Sequence, residues 1–297
     1  MRERTHERRV STRRTFLAGL GVSGAGASIG TASARGPPDP TTHSSGRGRR
    51  TGFPPARHTE WSGSEDLGDG EVRTFVTTSP AGRPTFVGVH LTAGVIEGLD
   101  PEKMELVSIQ FPDGEDLTPF EWLGLDWMPS GHGPPEVYGV PHFDVHFYLD
   151  TEDEIGEIEG VNFLPDESDD DPYEVPIAAD QVPPDYFRTN YVVPAMGEHL
   201  FDALAPEWDG PGVPSDEAFT HSFVWGHYDG DLNFFEPMIT TEYLGQLMGE
   251  DAAPIRTPER FPEADEYPTQ YVIRYHSGEE AYTVTLEGFE PFEASNH

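Results

Sequence analysis

The chain contains no cysteine and only one lysine, Lys103, in 297 residues. Without cysteine, disulfide bonds, thiolate metal ligands and lipid attachment through an N-terminal cysteine are all excluded. Long apolar runs are also missing, because the weakly apolar stretch from residue 17 to about residue 31 is too short and glycine-rich for a good membrane span. Any metal site must therefore be built from histidines and carboxylates.

Positive charge is scarce beyond residue 57. Up to that residue there are eleven arginines and three acids, whereas residues 58 to 297 contain seven bases and 51 acids. Such an excess repels itself in ordinary buffer, and molar salt relieves the repulsion by shortening the screening length to roughly 3 Å. This composition resembles that of proteins from halophilic archaea. It disfavours nucleic acid and anionic membranes as partners of the folded part.

The N-terminus resembles a twin-arginine export signal. The segment Ser11-Thr12-Arg13-Arg14-Thr15-Phe16-Leu17 is followed by the Gly/Ala-rich run, and Ala32-Ser33-Ala34 offers a processing site. We therefore predict a signal peptide over residues 1–34, a partner in the twin-arginine export machinery, and an extracellular or cell-surface location without a stable membrane span.

Composition divides the rest of the chain into two parts. Residues 35–57 are rich in Gly, Pro, Ser and Arg and predict a disordered linker. Residues 58–297 are long enough for one large domain. An acidic insertion covers residues 152–171 and has no assigned role. Its acidic run 166–171 lacks the spacing of a dedicated calcium loop and predicts a hydrated loop.

Short strand patterns separated by turn signals dominate residues 58–297. Asp229-Gly230 predicts a hairpin turn, Thr240–Met248 is the best helix candidate, and residues 121–135 predict an ordered loop. The fold class is therefore mainly β, an antiparallel barrel or sandwich with a few short helices.

The strongest chemical signal is the segment Pro141-His142-Phe143-Asp144-Val145-His146-Phe147-Tyr148. Side chains alternate along a strand, so His142, Asp144 and His146 share one face and the apolar residues between them share the other. The polar face can converge on one metal ion or one proton-transfer centre. The alternative is a half-exposed strand with its polar face in water.

Two downstream residues, His199 and Glu236, are further candidate ligands. The pattern Pro194-x-x-Gly197-x-His199 with Glu236 is similar in kind to the cupin barrel motif, although there the Glu precedes the last His. The candidate metal ligands are therefore His142, His146, His199 and Glu236, and the candidate ions are Zn²⁺, Mn²⁺ and Fe²⁺. We interpret His132 and His227 as ordinary loop or strand histidines.

Asp144 is the candidate catalytic residue. It lies between two histidines on one strand face, so it either binds the ion directly or orients a ligating imidazole through the second ring nitrogen. A metal-free His–Asp pair is a third possibility for acid–base chemistry.

Three motifs together resemble an uncharacterised family of exported proteins, whose domain is named after a ring-forming hypothetical protein of Thermus. They are Gly131-His132…Tyr138…Pro141 to Tyr148, Pro194-x-Met196-Gly197-x-His199, and Gly226-x-Tyr228-Asp229-Gly230…Phe235 to Thr240. The resemblance covers about residues 70–250. It implies a mainly β domain and a homo-oligomer, and it brings no reaction.

Two classes of function follow from these patterns. The first is a metal-binding β-barrel protein in which the ion supports hydrolysis or oxidation. The second is a non-catalytic ligand-binding or ring-forming assembly module without metal. They differ in whether the candidate side chains meet around one point about 2.0–2.2 Å from each donor atom.

Overall fold

The computed structural model describes residues 52–112, 117–161 and 172–296, and all of them fall within one compact unit. In chain order the strands are β1 Thr59–Trp61, β2 Glu65–Leu67, β3 Gly70–Thr78, β4 Pro84–Thr92, β5 Glu105–Gln110, β6 Trp122–Met128, β7 His142–Tyr148, β8 Tyr186–Arg188, β9 Glu198–Asp202, β10 His221–Tyr228, β11 Asp231–Thr240, β12 Glu250–Pro254, β13 Glu266–Tyr267, β14 Gln270–His276, β15 Ala281–Glu287 and β16 Glu290–Pro291. The helices are α1 Ala93–Glu97, α2 Pro135–Tyr138, α3 Glu152–Gly156 and α4 Thr241–Gln246.

Two antiparallel sheets of seven strands form the fold. The first has the order β1-β3-β4-β15-β14-β12, with β2 also paired to β3, and the second has the order β5-β6-β7-β11-β10-β9-β8. A small third sheet joins β13 and β16. The mainly β prediction is confirmed. Both large sheets are open at their edges over the described residues, so the structure is a sandwich and not a barrel.

The main core takes side chains from both large sheets. Val89 and Val284, which are paired across β4 and β15, contribute from the first sheet, and Phe143, Val145 and Phe147 contribute from β7 in the second. All five are nearly inaccessible to solvent. One face of β7 therefore packs in the core, and its other face points away from the first sheet.

The outer face of the second sheet is covered as well. One apolar cluster there includes Tyr138, Trp208 and Phe219, and another includes Tyr148 and Phe234. Polar side chains on this face are therefore enclosed between aromatic groups, which is unusual for an antiparallel sheet.

Several local predictions are confirmed. Asp229 and Gly230 both have positive φ, 50° and 106°, and they connect β10 to β11, as a two-residue hairpin turn requires. Thr240 caps α4, because its hydroxyl accepts a hydrogen bond from the Tyr243 amide at 3.2 Å.

Two predictions of element boundaries were wrong. Residues 122–128 form β6 instead of part of an ordered loop. Alternation was hidden there because Trp122 and Asp126 on the outer face are as buried as Leu123 and Leu125 on the inner face. The folded part also begins before residue 58, since the Phe53 ring contacts aromatic rings of the first sheet at centroid distances of 5.1–6.3 Å.

The predicted signal peptide, most of the predicted linker and the acidic run 166–171 lie outside the described residues. Within the described part of the chain, no helix is long and apolar enough to cross a membrane.

Candidate metal centres

The polar face of β7 is fully enclosed. His142, Asp144 and His146 are 0 %, 3 % and 1 % exposed. The alternation predicted for residues 142–148 is confirmed, but the half-exposed strand proposed as the alternative is wrong. Burying polar groups costs free energy unless they find partners, so the partners of these three residues need to be identified.

The structure divides the four predicted ligands between two groups. His146, His199 and Glu236 come together, and we call this group the inner centre. His142 lies instead with Asp144 and His132, and we call that group the outer centre. In each group, one donor atom from every residue lies within 4.8 Å of one from each of the others.

The inner centre takes one side chain each from β7, β11 and β9, and β10 lies between the last two. His146 Nε2 lies 3.5 Å from Glu236 Oε1, and His199 Nε2 lies 3.6 Å from Glu236 Oε2. Both glutamate oxygens and His146 Nε2 lack a hydrogen-bond partner among the described residues. All three side chains are buried. The centre therefore consists of donor atoms that face each other without hydrogen bonds and without access to solvent.

A glycine makes room for this arrangement. Gly226 on β10 pairs with both His199 and Phe234, and a Cβ at Gly226 would lie 2.0 Å from the Phe234 ring. That ring contacts His146 and His199 edge-on, at centroid distances of 4.9 and 5.0 Å. Any larger residue at Gly226 would displace the ring that fixes both imidazoles.

Asp126 is a participant that the sequence analysis missed. It pairs across strands with Asp144, and its Oδ2 lies 3.4 Å from His146 Nδ1. A carboxylate on the second nitrogen of a ligating histidine is the usual support of a metal-bound imidazole. Asp126, and not Asp144, therefore occupies the orienting position next to His146. The signal that could have identified Asp126 is its position as the one acid within the apolar run Trp122–Met128.

The pKa values of the imidazoles and of the carboxylates on this face are shifted in opposite directions. Burial lowers the pKa of His146 to about 4 and that of His199 to about 3. Burial together with neighbouring carboxylates raises the pKa of Glu236 and of Asp126 well above their usual ranges. At neutral pH both imidazoles are uncharged and keep a lone pair, which is the form that binds a metal.

The outer centre joins a loop residue to β7. His142 Nε2 lies 3.0 Å from Asp144 Oδ1, and His132 Nε2 lies 3.3 Å from Asp144 Oδ2. His132 lies in a loop as interpreted, and the turn after β6 brings it to Asp144. By contrast, His227 belongs to neither group and lies 3.1 Å from Glu198.

A cleft of about 910 Å³ lies beside the outer face of the second sheet, and its lining contains neighbours of the two centres but none of their six residues. Gly133 and Pro134, which follow His132, line it near the outer centre. Tyr191 lines it near the inner centre, where burial and the charges of Glu236 and Glu198 raise the pKa of Tyr191 to about 12. Its other lining includes Phe187, Phe201, Trp208 and Arg188. A mainly apolar cleft with a few polar groups is typical of a small-molecule site.

Comparison with protein-family models, with curated proteins and with solved structures gave no match for this chain. The resemblance to the ring-forming exported family, and the homo-oligomer that it implies, stay predictions. The functional argument therefore depends on the geometry of the two centres.

Proposed function

We propose that this protein binds a divalent transition-metal ion through His146 Nε2, His199 Nε2 and the Glu236 carboxylate. The observation that carries the proposal is Glu236 itself, which is 0 % exposed and whose two oxygens have no hydrogen-bond partner in the described part of the chain. A buried carboxylate without a partner costs several kcal/mol in a low-dielectric interior. A bound cation removes that cost.

The surrounding charges support a cation. Asp126, Asp144 and Glu236 lie on one buried face, and their ion-pair partners among the described residues are histidines only. The raised pKa values of Glu236 and Asp126 show that burial and mutual repulsion favour their protonated forms in the metal-free protein. A bound cation would reverse this, because it stabilises ionised carboxylates at a face whose own imidazoles are neutral.

The donor set suits zinc, manganese or iron, all of which accept imidazole and carboxylate ligands. The two glutamate oxygens lie 3.5 Å from His146 Nε2 and 3.6 Å from His199 Nε2, so each imidazole faces a different oxygen.

The number of protein ligands supports a catalytic role for the ion. Three protein ligands leave a fourth position of a tetrahedral ion open, and zinc lowers the pKa of a water bound there to about 7. Metal-assisted hydrolysis is therefore the first activity to test. If the ion proves to be iron, two histidines and one carboxylate instead suit oxygen chemistry.

Elemental analysis tests the metal. The mature protein is purified in molar salt without a histidine tag, beside Glu236→Gln and the control His221→Ala, whose imidazole lies 2.8 Å from the Tyr271 hydroxyl and outside both centres. We expect Glu236→Gln to contain less metal than the wild type and His221→Ala to contain the same amount. Equal metal in the wild type and Glu236→Gln, or none in either, would contradict the proposal.

A further inference from the structure

In the outer centre, the Nδ1 atom of each histidine contacts a backbone carbonyl oxygen. His142 Nδ1 lies 2.6 Å from the Val140 carbonyl oxygen, and His132 Nδ1 lies 3.0 Å from the Gly133 carbonyl oxygen. A carbonyl oxygen only accepts hydrogen bonds, so both Nδ1 atoms must carry the proton. In the neutral imidazoles, the lone pairs are then on the two Nε2 atoms.

Both Nε2 atoms lie next to the same carboxylate. His142 Nε2 and His132 Nε2 lie 3.0 and 3.3 Å from the two oxygens of Asp144. An unprotonated imidazole nitrogen this close to a carboxylate oxygen is repulsive, because both atoms are acceptors. Either extra protons or a metal ion must lie between them.

The hydrogen-bond geometry argues against protons alone. Although His142 Nε2 and Asp144 Oδ1 are only 3.0 Å apart, neither atom has an aligned hydrogen-bond partner among the described residues. Both side chains are at least nine-tenths buried, so solvent does not replace the missing bond. Two buried ligand atoms without an aligned hydrogen bond, with His132 Nε2 3.3 Å from the same carboxylate, fit a shared cation.

The loop that carries His132 is held firmly in place. Gly131 has φ +65°, and a Cβ there would lie 1.9 Å from the Tyr138 carbonyl oxygen. That carbonyl also accepts a hydrogen bond from the His132 amide at 3.3 Å, and the Tyr138 hydroxyl accepts one from the Trp208 indole at 3.0 Å. The loop therefore presents His132 to β7 as part of the packed structure.

We infer that His132, His142 and Asp144 form a second binding site for a divalent transition metal, separate from the inner centre and next to the cleft. Along β7, Asp144 and His146 are two residues apart, which corresponds to roughly 6.6 Å. The two sites share one sheet face but no ligand. The side chain of His132 is 25 % exposed, whereas those of the inner ligands are 8 % or less. The outer ion is therefore the one in closer contact with solvent.

Zinc stoichiometry of the full mature chain tests this inference. The protein is stripped with a chelator, dialysed against zinc in molar salt, and compared with His132→Ala, Glu236→Gln and the exposed-surface control His58→Ala. We expect two zinc ions per chain in the wild type and the control, and one in each of the two centre variants. His132 lies in a loop, so its truncation leaves both sheets intact, and circular dichroism confirms the fold of each variant.

The variants distinguish the two proposals. One zinc ion in the wild type that disappears in Glu236→Gln but stays in His132→Ala would overturn the second site and leave the inner centre standing. One zinc ion that disappears only in His132→Ala would support the outer site and overturn the inner one. No zinc in the wild type would overturn both. Cobalt substitution gives an independent readout, because each tetrahedral ion adds its own visible absorption, and the His132→Ala spectrum should lack one component.

Discussion

Two buried glutamates of the second sheet have opposite surroundings. Glu198 accepts hydrogen bonds from the Arg188 guanidinium at 3.0 and 3.1 Å and from the Asn190 amide at 2.7 Å. Glu236 faces two neutral imidazoles and has no hydrogen-bond partner in the described segments. The chain itself compensates the charge of the first carboxylate, whereas burial raises the pKa of the second and favours its protonated form unless a cation binds. The first glutamate is therefore part of the structure's own ion pairs, and the second is the candidate for a binding centre.

The rest of the molecule follows the first pattern. Glu287 on the first sheet pairs with Arg274, and Glu207 accepts a hydrogen bond from the Tyr138 hydroxyl at 3.4 Å. The buried side-chain polar atoms without hydrogen-bond partners in the described ranges all lie on β7, β9, β10 and β11 of the second sheet. They include atoms of both candidate centres and atoms of Ser222, Trp225, His227 and Asn233, which belong to neither.

The largest expected effect comes from adding zinc to the metal-free protein. An ion that binds only the folded state adds about 4 kcal/mol to the free energy of unfolding at a thousand times its dissociation constant. Glu236→Gln should lose one such increment, and Arg188→Ala should keep it. Denaturant titrations in molar salt, with and without zinc, measure this difference. If zinc raised the free energy of unfolding equally in the wild type and in Glu236→Gln, Glu236 would not be a zinc ligand.

The second-largest expected effect distinguishes Glu198 from Glu236 in the metal-free protein. Arg188→Ala leaves the Glu198 carboxylate buried without its partner, so we expect the metal-free protein to lose about 3 kcal/mol of stability. Burial raises the pKa of Glu236 well above its usual range, so Glu236→Gln replaces a protonated carboxyl group by a neutral amide of similar shape, and the stability should change by less than about 1 kcal/mol. Chemical denaturation of both variants in the presence of a chelator checks the order, and the reverse order would contradict it.

Acid should destabilise the metal-free protein through its buried histidines. Burial and the Arg73 charge lower the pKa of His90 on the first sheet to about 4, and burial does the same for His146 on the second. Since the folded pKa lies below the usual value of about 6.5, the unfolded state binds more protons between these values. Stability is therefore complete above about pH 6.5 and falls as the pH drops toward 4.

Replacing His90 isolates one contribution to this acid sensitivity. His90→Asn should reduce the loss of stability between pH 6.5 and pH 4 by about 2 kcal/mol, without changing the zinc content. Unfolding curves across this pH range measure the change. An unaltered pH profile would mean that His90 does not remain uncharged in the folded protein.

The smallest expected effect belongs to the helix that follows β11. Thr240→Ala removes the cap of α4 and should cost about 1 kcal/mol, because the Tyr243 amide loses its acceptor. Glu236 lies on the same strand, so unchanged zinc binding in this variant would show that the centre does not depend on the end of that strand. Loss of zinc would show that it does.

Local patterns in the sequence predicted a good part of this structure. The alternation in residues 142–148, the turn at Asp229-Gly230 and the cap at Thr240 depend on neighbouring residues, and all three are confirmed. Residues 122–128 were assigned to a loop, because burial on both faces of β6 removes the alternation on which strand prediction depends.

The sequence could not predict that the candidate ligands divide into two groups. From the sequence, His142, His146, His199 and Glu236 formed one set. In the structure, strand pairing places His142 with Asp144 and His132, and it brings Asp126 to His146. Which strands become neighbours, and which segments cover the outer face, depends on contacts between residues far apart in the chain. Composition by itself determined that only histidines and carboxylates are available for a metal. The tertiary structure alone decided which of them meet and that they are buried, because enclosure by aromatic clusters is a property of the packed sheet and of no single segment.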